Sequence, residues 1–381
     1  MSIKRNAVKT AELNNFPLSK RKTNSGGDVF LLVSLLILCA LGLVFIYSAS
    51  NYVAEKDYGD RFFFVKKQAI GYAIGGAAYL FFSLLNYKKI KKYALPALIF
   101  SMFLLALVLT PLGKEVYGAK RWLGVGGLTV QPSEIVKFCY IAFCAAYISK
   151  DCGRVKTIKG LLPVLGVGGL ICVLIMLEPN MSVTVCVGLI MMAILFIAGM
   201  PIKYFAMLAV PLVLALPLLI IAEPYRLKRL YAFIDPWSSP KGEGYQLIQS
   251  LYAFGSGGLL GTGLFKSRQK LKFLPFSESD FILSVISEEC GFVGVALLLC
   301  LYGFLVWRMI KTALKKRDLF GYYLCVGIAA AFIVQVAVNA LVVTGSIPPT
   351  GLPLPLISSG NTQIIVFMSE IGVVYSASRY D

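Results

Sequence analysis

From residue 29 onward the chain alternates long apolar runs with short polar breaks. Most runs approach the ~20 residues a helix needs to cross a bilayer. They predict about ten helices, at 29–47, 69–85, 94–112, 134–149, 161–177, 183–199, 204–222, 281–304, 321–343 and 358–376. An all-helical bundle follows, because backbone groups that face lipid must be paired within their own segment. The expected fold class is an all-α integral membrane protein with about ten transmembrane helices. The first run is too long, and lies too far from residue 1, for a cleavable signal peptide.

Composition agrees with the pattern and charge orients it. Hydrophobic residues make up 58% of the 381 positions and charged residues only 15%, against roughly a quarter in soluble domains. Formal net charge is +18, and its location matters more than its size. Lys4, Arg5, Lys9, Lys20, Arg21 and Lys22 precede the first helix, and Lys88, Lys89, Lys91 and Lys92 fill the second break on that side. Lys150, Arg154, Lys156 and Lys159, then Arg308, Lys311, Lys315, Lys316 and Arg317, follow on the same side. The positive-inside rule therefore places both termini in the cytoplasm. Residues 1–28 read as a cytoplasmic tail, 29–376 as the transmembrane domain and 377–381 as a cytoplasmic end. The stretch 223–280 becomes a large extracytoplasmic loop between helices 7 and 8, too long for a plain connector. The basic excess reflects orientation and anionic headgroups rather than nucleic-acid binding.

The absence of histidine removes His-based catalysis and His-ligated metal sites, and the nine cysteines show no CxxC spacing. Most of those thiols lie in apolar runs, where a small buried side chain is the ordinary reading. On the outer side, GKEVYGAKRWLGVGGLTVQPSE is a Gly-rich structured loop returning into helix four at Pro132. In GYQLIQSLYAFGSGG, Leu247, Ile248, Leu251 and Tyr252 share helical spacing, with Gln246, Gln249 and Ser250 opposite. This predicts a short amphipathic helix, lying at the interface or plugging the bundle. The prolines of IPPTGLPLP favour an extended outer loop.

Candidate chemistry concentrates at the outer mouth. Asp280 in SESDFI precedes an apolar run, as a helix-capping acid would. Helical spacing also sets Asp280, Ser284 and Glu288 on one face, and such a polar stripe normally meets a bundle interior or a wet cavity. For Glu288 and Glu289, deeper in the run, a structural ion pair with a buried lysine is expected. Glu134 and Lys137, three apart within a span, are expected to pair and fix two helices. Cations gather outside: Lys120 and Arg121 in GAKRW, Arg226, Lys228 and Arg229 in YRLKRL, and Arg268, Lys270 and Lys272 in KSRQKLK. Together they call for an anionic partner, such as polyprenyl pyrophosphate. Sugar transfer from a diphosphate needs one base for the acceptor hydroxyl and cations where phosphate charge develops. An acid amid Arg and Lys matches that demand.

The motifs GAKRW, QPSEIVK, LKRLYAFIDPWSSPKGEGYQLIQS, GSGGLLGTG, SRQKLKFLP, ESDFI and EECGFVG, in this order, resemble the SEDS family. These are the shape, elongation, division and sporulation proteins typified by FtsW, RodA and SpoVE. The resemblance runs from the first span to the last. It implies a peptidoglycan glycosyltransferase of the bacterial cytoplasmic membrane that polymerises lipid II on the outer side. Its implied partners are a class B penicillin-binding protein and other division proteins. By the resemblance Asp280 is the catalytic base, activating the acceptor 4-hydroxyl for inverting displacement of undecaprenyl pyrophosphate. Lys120, Arg121, Arg226, Arg229, Ser267, Gln269 and Lys270 become substrate contacts, and Glu134, Lys137 and Glu288 an ion pair or cavity lining. No metal ligand is assigned, although a divalent Mg or Mn ion bridging pyrophosphate is compatible with such a site.

The sequence departs from the family where EPNMSVT replaces the frequent EPDLGTA, so that Asn180 removes a carboxylate. It departs again where LPLISSGNTQ replaces LPFISYGGSS, with Ser359 and Asn361 substituted. DPW and SRQKLKFLP point to the FtsW and SpoVE side and PLPLIS to the RodA side, with division-type septal synthesis favoured. Two other readings compete. A lipid II flippase would need charges across the whole bilayer, for which Lys137, Glu178, Glu288 and Glu289 are candidates. A scaffold without activity would have no use for Asp280.

Overall fold

The computed structural model describes residues 26–116, 119–125, 128–208, 210 and 224–380. Helices dominate. In chain order they are α1 (Val29–Tyr58), α2 (Phe63–Leu84), α3 (Lys88–Val108), α4 (Pro132–Ile148), α5 (Ile158–Leu177) and α6 (Met181–Ile197). Then come α7 (Pro224–Ile234), α8 (Tyr245–Gly257), α9 (Ile282–Leu314), α10 (Leu319–Val343) and α11 (Asn361–Arg379). Five of them, α1, α3, α5, α9 and α10, are long and apolar enough to cross a membrane, and α6 is a shorter apolar helix. Large apolar side chains such as Leu36, Phe81, Phe100, Phe196 and Leu297 lie exposed on the bundle exterior, as expected where lipid is the solvent. The expected seventh span begins as helix at 202–208; most of its remainder, like the N-terminal tail to residue 25, lies outside the described residues.

Local chemistry explains the helix ends. The Asp28 carboxylate accepts from Phe30 N at the start of α1, Asn180 caps α6 and Asp318 caps α10. Pro132 opens α4 at the position where a missing N–H costs nothing. The two described ends of the chain meet: Asp28 N donates to Ser378 Oγ at 2.9 Å, and Arg308 closes a 2.6 Å ion pair on Asp28. This terminal end also collects Lys88, Lys91, Lys150, Arg154 and Lys316. At the opposite, loop end sit α7, α8 and Asp280.

Three features depart from the sequence reading. The loop before α4 is a three-stranded antiparallel sheet, β1 (Gly113–Val116), β2 (Ala119–Val125) and β3 (Leu128–Val130), in the order β1-β2-β3. The fold is thus mainly but not purely α. Glycines and alternating residues suit a hairpin, and helical expectations hid it.

Second, α9 is broken at Gly291, whose φ of 66° and ψ of −170° lie outside the helical region. A Cβ there would sit 2.4 Å from Gly261 N, so glycine alone allows this close approach. The GSGGLLGTG segment packs onto the break, with Phe292 N and Val293 N donating to Gly258 O and Leu259 O.

Third, the Pro-rich segment before α11 is extended as expected but folds into the bundle instead of lying on its surface. Leu352, Leu354, Leu356 and Ile357 are buried, and its carbonyls are met by side chains from α2, α10 and α11. Gln335 and Gln363 donate to Pro353 O, Asn339 to Leu352 O, and Tyr72 to Leu356 O. Irregular backbone is tolerated inside a bundle only when it is paired in this way.

The short helix α8 packs as a plug. Ser250, expected on its polar face, is buried: it shares a 2.7 Å hydrogen bond with Ser284 Oγ and donates to Val343 O.

Candidate active site

At the loop end, four separate elements converge on Asp280. The residue ends the polar segment that leads into α9 and is half-buried. Its backbone is fixed: Asn339 Nδ2 donates to Asp280 O at 2.8 Å, and Ser358 Oγ donates to Ser279 O at 2.6 Å. The re-entrant segment closes over the carboxylate, so that a Cβ at Gly351 would lie 3.0 Å from Asp280 Oδ2. Gly351 N is in turn held by Ser182 Oγ at 3.2 Å, just inside α6.

Burial pushes the Asp280 carboxyl up to about 6; Arg229 opposes that rise, Glu278 adds to it and Arg121 opposes it again. The result is a carboxylate still ionised near neutrality yet basic enough to accept a proton. Arg229 reaches across from α7 to donate to Pro349 O at 3.1 Å. Arg121 projects from β2 toward the α5–α6 elbow, where it bonds Glu178 O and Pro179 O. Strand alternation turns its neighbour Lys120 to the other face, where it is exposed. The geometry therefore brings Asp280, Arg121 and Arg229 into one electrostatic neighbourhood. Arg226 lies on α7, but its side chain is outside the described residues.

Ser267 and Lys270 are buried and Gln269 is partly so, all three lying beside the acids of α9. Glu288 and Glu289 are buried on the first half of α9 and must find donors or pay the cost of desolvation. Glu288 accepts from Ser267 Oγ, from Arg268 N at 3.0 Å and from Gln269 N at 3.2 Å. Glu289 pairs with Lys270 Nζ at 3.0 Å and takes Ser48 Oγ of α1 at 2.6 Å. The sequence foresaw a buried lysine beside these acids; here Lys270 pairs with Glu289, while Glu288 clamps loop backbone. The stripe proposed for Asp280, Ser284 and Glu288 therefore ends in packing contacts, Ser284 on α8 and Glu288 on the SRQ loop. Glu134 and Lys137 pair at 2.9 Å, and Lys137 also bonds Gln335 Oε1 at 2.9 Å, joining α4 to α10.

Sequence reasoning missed Glu278, Asn339 and Gly351 around Asp280, and it missed the closeness of Glu178 to Arg121. Only Glu278, two residues away, left a local trace. The others come from distant elements. Glu178 is buried without a hydrogen-bond partner for either oxygen among the described residues. Burial lifts it to about 8, against the pull of Arg121. No group of three carboxylate or cysteine side chains suited to a metal gathers among the described residues.

Five helices long and apolar enough to cross a membrane, with Asp280 raised beside Arg229 and Arg121 at one end, mark a multi-pass helical membrane protein. The chain belongs to the cell cycle protein family of FtsW, RodA and SpoVE, whose profile matches residues 29–381. It is 38% identical over 366 residues to stage V sporulation protein E of Bacillus subtilis, covering 95% of this chain and 99% of that protein. To the probable peptidoglycan glycosyltransferase FtsW of Trichlorobacter lovleyi it is 37% identical over 356 residues, 92% of this chain and 93% of the other. Among solved structures, a peptidoglycan synthase complex that coordinates polymerization and crosslinking contains a chain that superposes with a TM-score of 0.77 at 29% identity. That match covers 93% of this chain and 98% of the other. The rod shape determining protein RodA of Thermus thermophilus gives 0.65 at 26% identity, over 93% and 97%.

Proposed function

We propose that the protein is a peptidoglycan glycosyltransferase that polymerises lipid II at the outer face of the bacterial cytoplasmic membrane. The observation that carries this reading is the Asp280 carboxylate, held near neutrality between Arg229 and Arg121 at the loop end. Asp280 takes the proton from the acceptor sugar's 4-hydroxyl as that oxygen bonds to C1 of the donor sugar. The C1–O bond to phosphate breaks on the opposite face, its electron pair leaves with undecaprenyl pyrophosphate, and C1 inverts. Diphosphate is a good leaving group, so the site needs cations rather than a second acid. Arg229 and Arg121 supply them.

Ser267, Gln269 and Lys270 serve as positioning residues in this scheme. Their contacts with Glu288 and Glu289 fix the half-helix whose entrance carries Asp280. Cation-rich breaks at the terminal end support cytoplasmic termini and an outward-facing Asp280. A family described as cell cycle proteins and a relative named for sporulation support a septal role, division-type first, beside a cross-linking class B penicillin-binding protein. A flippase reading draws on Lys137, but that ammonium is bonded to Glu134 and Gln335 in the packed interior.

Purified protein, with and without a class B partner, is to be incubated with labelled lipid II and the products resolved by gel. Ladders of glycan strands are expected with the partner present. Unchanged lipid II under both conditions, from protein that still binds its partner, refutes the reading.

A further inference from the structure

Beside α7 lies an open basin of about 690 Å³ at the loop end. Lys228, Tyr231, Ser238, Ser239, Lys241 and Glu243 line it. On α7, Lys228 and Tyr231 are three residues apart and share a face, whereas the neighbouring Arg229 is rotated by about 100° toward Pro349 and Asp280. None of the lining residues is among those placed around Asp280. The opposite wall is a fixed turn. Asp235 caps it through Trp237 N at 3.2 Å, and Gly244 packs so closely that a Cβ would lie 2.2 Å from Pro236 O.

Lys228, Lys241 and Glu243 form no ion pair among the described residues, and Tyr231 is 62% exposed. The volume lies within the ~300–1,000 Å³ of small-ligand sites. An exposed aromatic face suits the C–H face of a pyranose ring. Serine hydroxyls and a carboxylate suit sugar hydroxyls, and two lysines against one glutamate leave a positive excess for an acidic group.

We infer that this basin is a second saccharide site, which holds the glycan strand beside α7, apart from the residues around Asp280. The inference rests on the proposed transferase reading and deepens it: a strand retained there stays attached between additions, so the site governs product length rather than the first linkage.

The test uses full-length protein in nanodiscs, with its class B partner, and compares wild type with Tyr231→Ala and Lys241→Ala. A soluble, lipid-free muropeptide glycan oligomer is the binding probe, read by saturation-transfer NMR. Each variant should bind it about fivefold more weakly, the loss of a contact worth up to about a factor of five to ten. Products from labelled lipid II should shorten while first-dimer formation stays at the wild-type rate. Tyr231→Phe and Lys241→Arg should restore length. Wild-type product length and oligomer binding in both alanine variants overturn the inference. So does shortening that vanishes when anionic lipids are omitted, which assigns the basin to headgroups. Failure of wild type to form the first dimer strikes the transferase reading instead.

Discussion

Replacing Asp280 by Asn should separate activity from stability in opposite directions. Moving the carboxyl from its usual 3.8 to about 6 costs its ionised form at most about 3 kcal/mol in the fold, less what solvent screening removes at this half-buried position. The sign follows from linkage. A raised carboxyl contributes its stability below the unfolded value and loses it as pH rises through about 6. Above that pH the wild type carries a buried charge that only the two arginines offset, and Asn of the same shape removes it. The variant should therefore unfold at a higher temperature than wild type in nanodiscs well above pH 6, with the difference fading in acid. Its lipid II turnover should fall by ~10²–10⁴, the usual contribution of a general base. The wild-type rate should drop on its acid side near pH 6. Turnover at the wild-type level in Asp280→Asn, or a wild-type rate flat through that region, would refute the base assignment.

Two other outcomes follow from neighbouring contacts. Arg229→Ala removes the cation that most strongly opposes the rise of Asp280, so the acid limb of the rate profile should move to higher pH, with Arg229→Lys restoring it in part; an unmoved limb removes Arg229 from the site. Lys270→Met leaves Glu289 buried without its partner and should cost ~3–5 kcal/mol. Adding Glu289→Gln should recover most of that loss in thermal unfolding, and a double variant as unstable as the single shows the pair is not the cause.

Local sequence was enough for the helical membrane class, and nine of its ten apolar runs fall on helices, five of them long and apolar enough to cross a membrane. Apolar length and charge asymmetry are local properties, written wherever the chain meets lipid. It also marked Asp280 and the arginines as unusual, because charge at the mouth of an apolar run stands out in one dimension. Tertiary structure decided which of those charges face one another. Ser267 and Lys270 look like surface polar residues in KSRQKLK, yet Glu288 and Glu289 claim them, because buried carboxylates bond the nearest donors in space. The Pro-rich segment reads as an outer loop, but amide and hydroxyl side chains from distant helices pair its carbonyls and let it enter the bundle. Gly291 interrupts α9 only because the GSGG segment lies against it, a contact between positions about thirty residues apart that no periodicity encodes.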